Sequence, residues 1–173
     1  MAVNIEIKAR VQDFATLEAN VEALSDTTLQ VLSQEDTFFH SPQGRLKLRE
    51  EVAGQGQLVY YDRPDTSGPK RSDYLVVGTD NPHVLKTILT AVLGRKGVVR
   101  KKRHLFFIGQ TRVHLDDVES LGHFIELEVV MRSDQPDCEG FAIANNLMEK
   151  LGISNEDLIE CAYIDIIEQR NNE

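Results

Sequence analysis

Val3-Asn4-Ile5-Glu6-Ile7-Lys8-Ala9-Arg10-Val11 alternates without a break between apolar and polar side chains. Successive residues of a strand point to opposite faces. Val3, Ile5, Ile7, Ala9 and Val11 therefore share one face, and Asn4, Glu6, Lys8 and Arg10 the other. One such strand alone reads as half-buried, with its polar face in water. The same layout recurs further along. Arg45-Leu46-Lys47-Leu48-Arg49-Glu50 sets three cations against two leucines, and Val98 to Ile108 puts Lys101 and Arg103 on one face with Arg100, Lys102 and His104 on the other. Arg112, His114 and Asp116 oppose Val113 and Leu115, and Phe124, Glu126 and Glu128 oppose Ile125, Leu127 and Val129. Charged rows on this many strands predict a sheet that curls around a polar interior.

Turn and helix signals fill in the rest. Asp13 is placed to cap a helix with apolar positions Phe14, Leu17, Val21 and Leu24. After a polar break at 25–28, an extended run reaches Phe39, Ser41-Pro42-Gln43-Gly44 turns the chain, and Gly54 to Gly56 turn it again into the strand Leu58-Val59-Tyr60-Tyr61. Residues 63–69 read as a mobile loop and 71–77 as strand. A helix follows with Pro82 in its first turn, the apolar face Val84, Leu85, Ile88, Leu89 and Val92, and Gly94 at its end. Three strands then run over 98–108, 112–118 and 124–131, the first two joined by a hairpin at Gly109-Gln110-Thr111. A helix is predicted from about Asp137 to Leu151, and Ser154-Asn155-Glu156-Asp157 as the capping box of a last one carrying Leu158, Ile159, Ala162, Ile166 and Ile167. The expected fold is α+β: one domain over 1–173, a closed or nearly closed antiparallel barrel of about eight strands, with helices packed outside. Closure of about eight strands leaves room for side chains or one small ligand.

The bulk numbers agree with such a domain. The chain has 173 residues, 41% hydrophobic and 27% charged, with a net charge of −9. That charge speaks against a general nucleic-acid binder but leaves room for a local basic pocket. No apolar run is long enough to span a membrane, and charged residues follow the N-terminus too soon for a signal peptide. Cys138 and Cys161, the two cysteines, are too few for a disulfide scaffold. A cytoplasmic protein with reduced thiols is expected.

The inferred interior has an acidic end, Glu6, Glu126 and Glu128, and a basic set, Lys8, Arg45, Lys47, Arg49, Lys101 and Arg103. Glu126 and Glu128 stand roughly 6–7 Å apart along one strand face. Buried together, they require a counter-cation to stay ionised, and oxygen ligands suit Mg2+ or Mn2+. Arginine and lysine grip phosphate oxygens. The combination points to a polyphosphate, most simply a triphosphate. The competing reading is a barrel whose interior charges merely neutralise one another, at a large desolvation cost.

These segments resemble the CYTH superfamily, the triphosphate tunnel metalloenzymes that include class IV adenylyl cyclases and thiamine triphosphatases. Ile5-Glu6-Ile7-Lys8-Ala9-Arg10 is similar to the latter part of the family's Glu-x-Glu-x-Lys signature. Gln34-Glu35-Asp36-Thr37-Phe38-Phe39 with Gly44 and Lys47-Leu48-Arg49-Glu50 resembles a segment of the class IV cyclase branch. Val99 to Arg103 is similar to the Val-x-Lys-x-Arg strand, and the run from His114 through Glu128 is the most specific match. The resemblance implies Glu6 and Glu126 as metal ligands with Glu128 a third, Lys8, Arg49, Lys101 and Arg103 as triphosphate contacts, and Asp116, with Lys8, near the reacting centre. Strand parity adds Arg45 and Lys47. Two departures stand out: Asn4 replaces the first Glu of the signature, and Asp62-Arg63 replaces a lysine, with Arg63 the candidate to take over its phosphate contact.

Cyclase and triphosphatase share such a site and differ in the nucleophile. In the cyclase the ribose 3′-hydroxyl of ATP attacks the α-phosphorus and pyrophosphate leaves; in the triphosphatase water attacks the terminal phosphorus. The resemblance ranks the cyclase first, the triphosphatase of inorganic or organic triphosphates second, and a non-catalytic triphosphate-binding protein third. The expected partner is a small triphosphate, with no nucleic acid and no membrane. A homodimer is compatible with this reading.

Overall fold

The structure, a computed structural model, describes residues 1–51 and 54–171. Its strands are β1 (Ala2–Arg10), β2 (Gln30–Phe39), β3 (Arg45–Glu51), β4 (Gly56–Asp62), β5 (Lys70–Thr79), β6 (Arg95–Ile108), β7 (Thr111–Val118) and β8 (Gly122–Val130). Its helices are α1 (Phe14–Leu24), α2 (Pro82–Leu93), α3 (Asp137–Leu151) and α4 (Tyr163–Asn171). The strands close into a barrel in the order β1-β5-β4-β3-β2-β6-β7-β8, with β8 returning to β1. Every pairing is antiparallel. Closure removes the free strand edges that an open sheet would expose.

The strand parity read from the sequence holds, and it sorts the side chains unusually. The apolar faces of β1, β7 and β8 point outward, where Ile7, Ala9, Val113, Leu115, Ile125 and Leu127 pack against Val21 of α1 and Leu147, Met148 and Leu151 of α3. The main hydrophobic core thus lies between barrel wall and helices, and the lumen is left to polar groups. A second cluster forms at one end of the barrel, where Ala162, Tyr163, Ile164 and Ile166 meet Phe38, Val99, Val118 and Phe124. Segment 158–166 therefore closes that end.

Local chemistry sets the element ends. Asp13 accepts from Thr16 N (3.1 Å) at the start of α1, and Asn81 from Val84 N (3.4 Å) at the start of α2. Gly152, at φ +68°, ends α3 in the left-handed conformation that glycine adopts without strain. Three expectations are corrected. The last helix starts at Tyr163, not after Ser154: the Ser154 hydroxyl caps only a 3-10 turn over Asn155–Asp157. Leu158 and Ile159 then run extended, Leu158 bridging Ala9 and Ile159 N donating to Lys8 O (2.8 Å); β1 takes them as a strand partner, and helical periodicity could not reveal that. On α2, Val84, Ile88 and Val92 face solvent, while Leu85 and Leu89 turn inward. β6 begins at Arg95, three residues early, because a bulge between Phe38 and Phe39 extends its pairing with β2. Among the described residues, no helix is long and apolar enough to cross a membrane.

α3 lies close on β1 because Gly140 has no side chain: a Cβ there would sit 2.5 Å from Met131 Sδ and 2.6 Å from Ile5 Cγ1. Gly140→Val is expected to lower stability by about 1–3 kcal/mol through overpacking. A urea unfolding series checks this, and an unchanged midpoint would contradict so close an approach.

Candidate functional site

Inside the barrel is a cavity of about 290 Å³. Seven Lys and Arg and five Asp and Glu line it, so in a chain of net charge −9 the lumen is locally basic. Glu6, Lys8, Lys47, Arg49, Arg63, Lys101, Arg103, Glu126 and Glu128 all reach it. Asp116 faces the same interior, accepting from Arg103 Nε (2.7 Å), Arg103 Nη2 (2.6 Å) and the Tyr163 hydroxyl (3.0 Å). Arg45 stands apart from this group. Its guanidinium is held by Asp65 (2.5 Å) and by Asp165 of α4 (2.8 Å), away from the cavity lining.

The interior charges form four groups. Lys8 pairs with Glu126 (3.0 Å), and Arg103 bridges Asp116 and Glu126, the latter at 2.7 Å. Arg112 pairs with Glu128 (2.9 Å). Arg63 pairs with Glu6 (2.9 Å) and also donates to Glu160 O (2.8 Å). Asp36, buried to 1% exposure, accepts from Lys47 (2.9 Å), from Arg49 Nε and Nη2 (2.8 and 2.9 Å) and from Lys101 (3.0 Å). Register explains the juxtapositions: Asp36 is opposite Arg49 on β3, Glu6 opposite Glu128, Lys8 opposite Glu126, and Arg103 opposite Asp116.

Titration follows these contacts. Burial disfavours the Asp36 carboxylate, but Arg49, Lys101 and Lys47 outweigh it and hold its pKa well below the usual range. Glu126 is likewise held well below it, by Lys8 and Arg103 against burial. Glu6 goes the other way: burial and Glu128 raise it, against the pull of Arg63. Burial, then Arg103, lowers His114, so its imidazole is neutral. Burial takes Lys101 down to about 7 despite Asp36, with Arg103 and Arg49 adding to the fall.

A divalent cation fits one part of this interior. His114, Glu126 and Glu128 each offer a ligand atom, all within 4.8 Å of one another. His114 Nδ1 is buried without a hydrogen-bond partner, 3.6 Å from Glu126 and 3.8 Å from Glu128. Glu6, opposite Glu128, has a pKa raised by burial and by that neighbouring carboxylate. Hard carboxylate oxygens with one neutral imidazole suit Mg2+ or Mn2+.

Sequence reasoning did not name His114 as a ligand, and it missed three further participants. Tyr163 enters from α4, with Lys8 Nζ 3.7 Å from its ring centroid; an aromatic near a helix start carries no local sign of this. Lys70, buried and opposite Glu6, donates to Glu160 O at 3.0 Å, and burial lowers it to about 8. Asp36 was readable in principle, because its parity on β2 puts it on the face of Gln34 and Phe38.

Comparison with known proteins agrees with this fold. The CYTH domain model matches residues 2–163, and no curated protein matches the chain at a significant level. The fold is similar to that of PH1012 from Pyrococcus horikoshii OT3, at 25% identity and TM-score 0.82, covering 94% of this chain and 98% of that one. It is also similar to a candidate adenylate cyclase from Vibrio parahaemolyticus (20% identity, TM-score 0.77, 95% and 97% covered). A third similar structure is HpAC1 from Hippeastrum (15% identity, TM-score 0.64, 100% and 97% covered), a candidate adenylyl cyclase described as having a dominant triphosphatase activity.

The depressed Lys101 has a measurable consequence. The unfolded chain keeps this proton to near the ordinary 10.5, while the fold releases it near 7. Between those values the unfolded state binds more protons, so this group makes stability rise with pH across that window. Relative to Lys101→Met, the wild-type melting temperature is expected to climb from pH 7 to pH 10. Parallel pH profiles would mean that Lys101 stays charged in the fold.

Proposed function

The chain belongs to the CYTH domain family, and on that premise we propose that it is a divalent-metal-dependent hydrolase that removes the terminal phosphoryl group of an inorganic or organic triphosphate. The observation that carries this reading is the lumen: about 290 Å³, closed at one end by Tyr163 and lined by seven cations beside five carboxylates and a neutral histidine. Ligand pockets run from about 300 to 1,000 Å³. This one suits a triphosphate chain, with any organic group at its mouth.

In this reading Glu6, Glu126, Glu128 and His114 hold Mg2+ or Mn2+. When bound, the ion neutralises phosphate charge and polarises phosphoryl oxygens. Lys47, Arg49, Lys101 and Arg103 orient the phosphates through charge-assisted hydrogen bonds. Lys8, between Glu126 and the Tyr163 ring, donates to an oxygen of the reacting phosphoryl group. Asp116 keeps Arg103 aimed, holding two guanidinium nitrogens at 2.6–2.7 Å. Arg63 reaches the cavity beside Glu6 and supplies the cation that Asp62 does not. Water then bonds to the terminal phosphorus, the bridging P–O bond breaks, and the shortened polyphosphate leaves with the electron pair. Preorganised charge around the developing oxyanions accounts for the rate gain.

The second reading is the class IV adenylyl cyclase, favoured by the likeness of segments 34–50 and 114–128 to that branch. It requires the same cavity to seat ribose and purine near the α-phosphate, and the small charged lumen argues against that. HpAC1 offers a precedent for the first reading over the second within this fold.

Incubation with Mg2+ or Mn2+ and tripolyphosphate, thiamine triphosphate or ATP separates the two. Orthophosphate with the matching diphosphate supports hydrolysis. Cyclic AMP with pyrophosphate overturns it in favour of the cyclase, and no turnover of any of them leaves a binding protein. Glu126→Gln is expected to fold and to lose on the order of 100-fold or more in metal-dependent turnover, judged from initial rates at saturating Mg2+.

A further inference from the structure

Among the interior carboxylates, Asp36 is the one surrounded by more cations than it can balance. Lys8 and Arg103 face Glu126 and Asp116, Arg112 faces Glu128, and Arg63 faces Glu6. Among the described residues, Lys47, Arg49 and Lys101 pair with Asp36 alone, three cations on one anion. All four contacts are 2.8–3.0 Å, from donors on β3 and β6, the strands flanking Asp36 on β2. The carboxylate is 1% exposed and accepts from every direction the three side chains offer.

We infer that Asp36 is an internal stand-in for a substrate phosphate: a positioning residue that keeps Lys47, Arg49 and Lys101 converged when no ligand is bound. Three cations drawn to one point repel each other unless an anion sits among them. With no ligand in the tunnel, the anion has to come from the chain. The surplus positive charge that remains makes this the subsite for the most highly charged end of the ligand, a terminal phosphate that is not esterified. The favoured class is therefore inorganic tripolyphosphate and triphosphate monoesters, rather than triphosphates substituted at both ends. This rests on the triphosphate reading of the same cavity. The low titration of Lys101 agrees with it, since even with Asp36 present this ammonium is at the edge of losing its charge.

The test is thermal melting of the wild type and Asp36→Asn at pH 7.5, in buffer with a chelator, with and without tripolyphosphate. Without the anion, Asp36→Asn is expected to melt several degrees below the wild type. Tripolyphosphate is expected to raise its midpoint at least twice as far as it raises the wild type's, because an external anion replaces the missing one. Asp36→Glu should recover most of the wild-type midpoint. If Asp36→Asn does not fold alone, the inference requires that it be recovered folded when expressed cells are lysed and the protein purified in tripolyphosphate. An equal or smaller ligand shift in Asp36→Asn, a wild-type midpoint without ligand, or no folding under either condition overturns the inference. A wild type that tripolyphosphate stabilises beside an Asn variant that gains no more leaves the proposed function standing and removes the role of Asp36. A wild type that shows no shift while the Asn variant does has the opposite meaning.

Discussion

The closed sheet holds its buried charges within about one hydrogen-bond length of an opposite charge. An unpaired ion in such an interior would cost several kcal/mol, and more than ten lysine, arginine and carboxylate side chains reach this lumen. Three of these contacts follow directly from strand register: Lys8 meets Glu126, Arg103 meets Asp116 and Asp36 meets Arg49 because these positions are paired across the ladders. A one-residue slip on any of these strands would turn its charges into the apolar layer beneath the helices and its leucines and isoleucines into the lumen. Electrostatics and hydrophobic packing thus specify the same register from opposite sides of one wall.

This double specification is why so much of the fold could be read from the sequence. Period-two alternation in β1, β3, β7 and β8 identified both faces, and the charged faces turned inward as expected. What stayed hidden depended on contacts between distant segments. Nothing local to Tyr163 announces that its hydroxyl will reach Asp116, 47 residues away. Ser154 to Asp157 has the composition of a helix start, yet the chain that follows joins the edge of β1 at Ala9 and so cannot continue the turn. Arg45 obeyed the parity of its strand, but Asp65 and Asp165 draw it away from the lumen. Parity assigns a face; it does not choose among partners at the barrel mouth.

The division of the interior into an acid-rich and a cation-rich part also bears on how the two kinds of group avoid quenching one another. Glu126 and Glu128 are each tied to a cation, yet their oxygens still converge with His114 Nδ1 inside 4.8 Å. Glu128 meets Arg112 through Oε2 and turns Oε1 to the imidazole, whereas Glu126 presents the same Oε2 to Arg103 and to His114. Lys47, Arg49 and Lys101 are kept from these glutamates because Asp36 engages all three. Without that local anion, the same lysines would be drawn toward Glu126 and Glu128.

Asn4 fits into this balance as something other than a lost carboxylate. It is 4% exposed, and with its amide assigned in the orientation its neighbours favour, the oxygen accepts from Arg112 Nη2 at 3.0 Å and the nitrogen donates to Val3 O at 3.2 Å. Arg112 is at the same time the ion-pair partner of Glu128. A glutamate at position 4 would compete with Glu128 for that guanidinium, and Glu6, already raised in pKa by its acidic neighbours, would gain another. The neutral amide satisfies the spare Arg112 donor without adding charge, so that Arg112 stays with Glu128 and helps keep it ionised against burial. Residue 4 and Arg112 act as one unit: the amide adds no further carboxylate to a lumen whose cations are already committed.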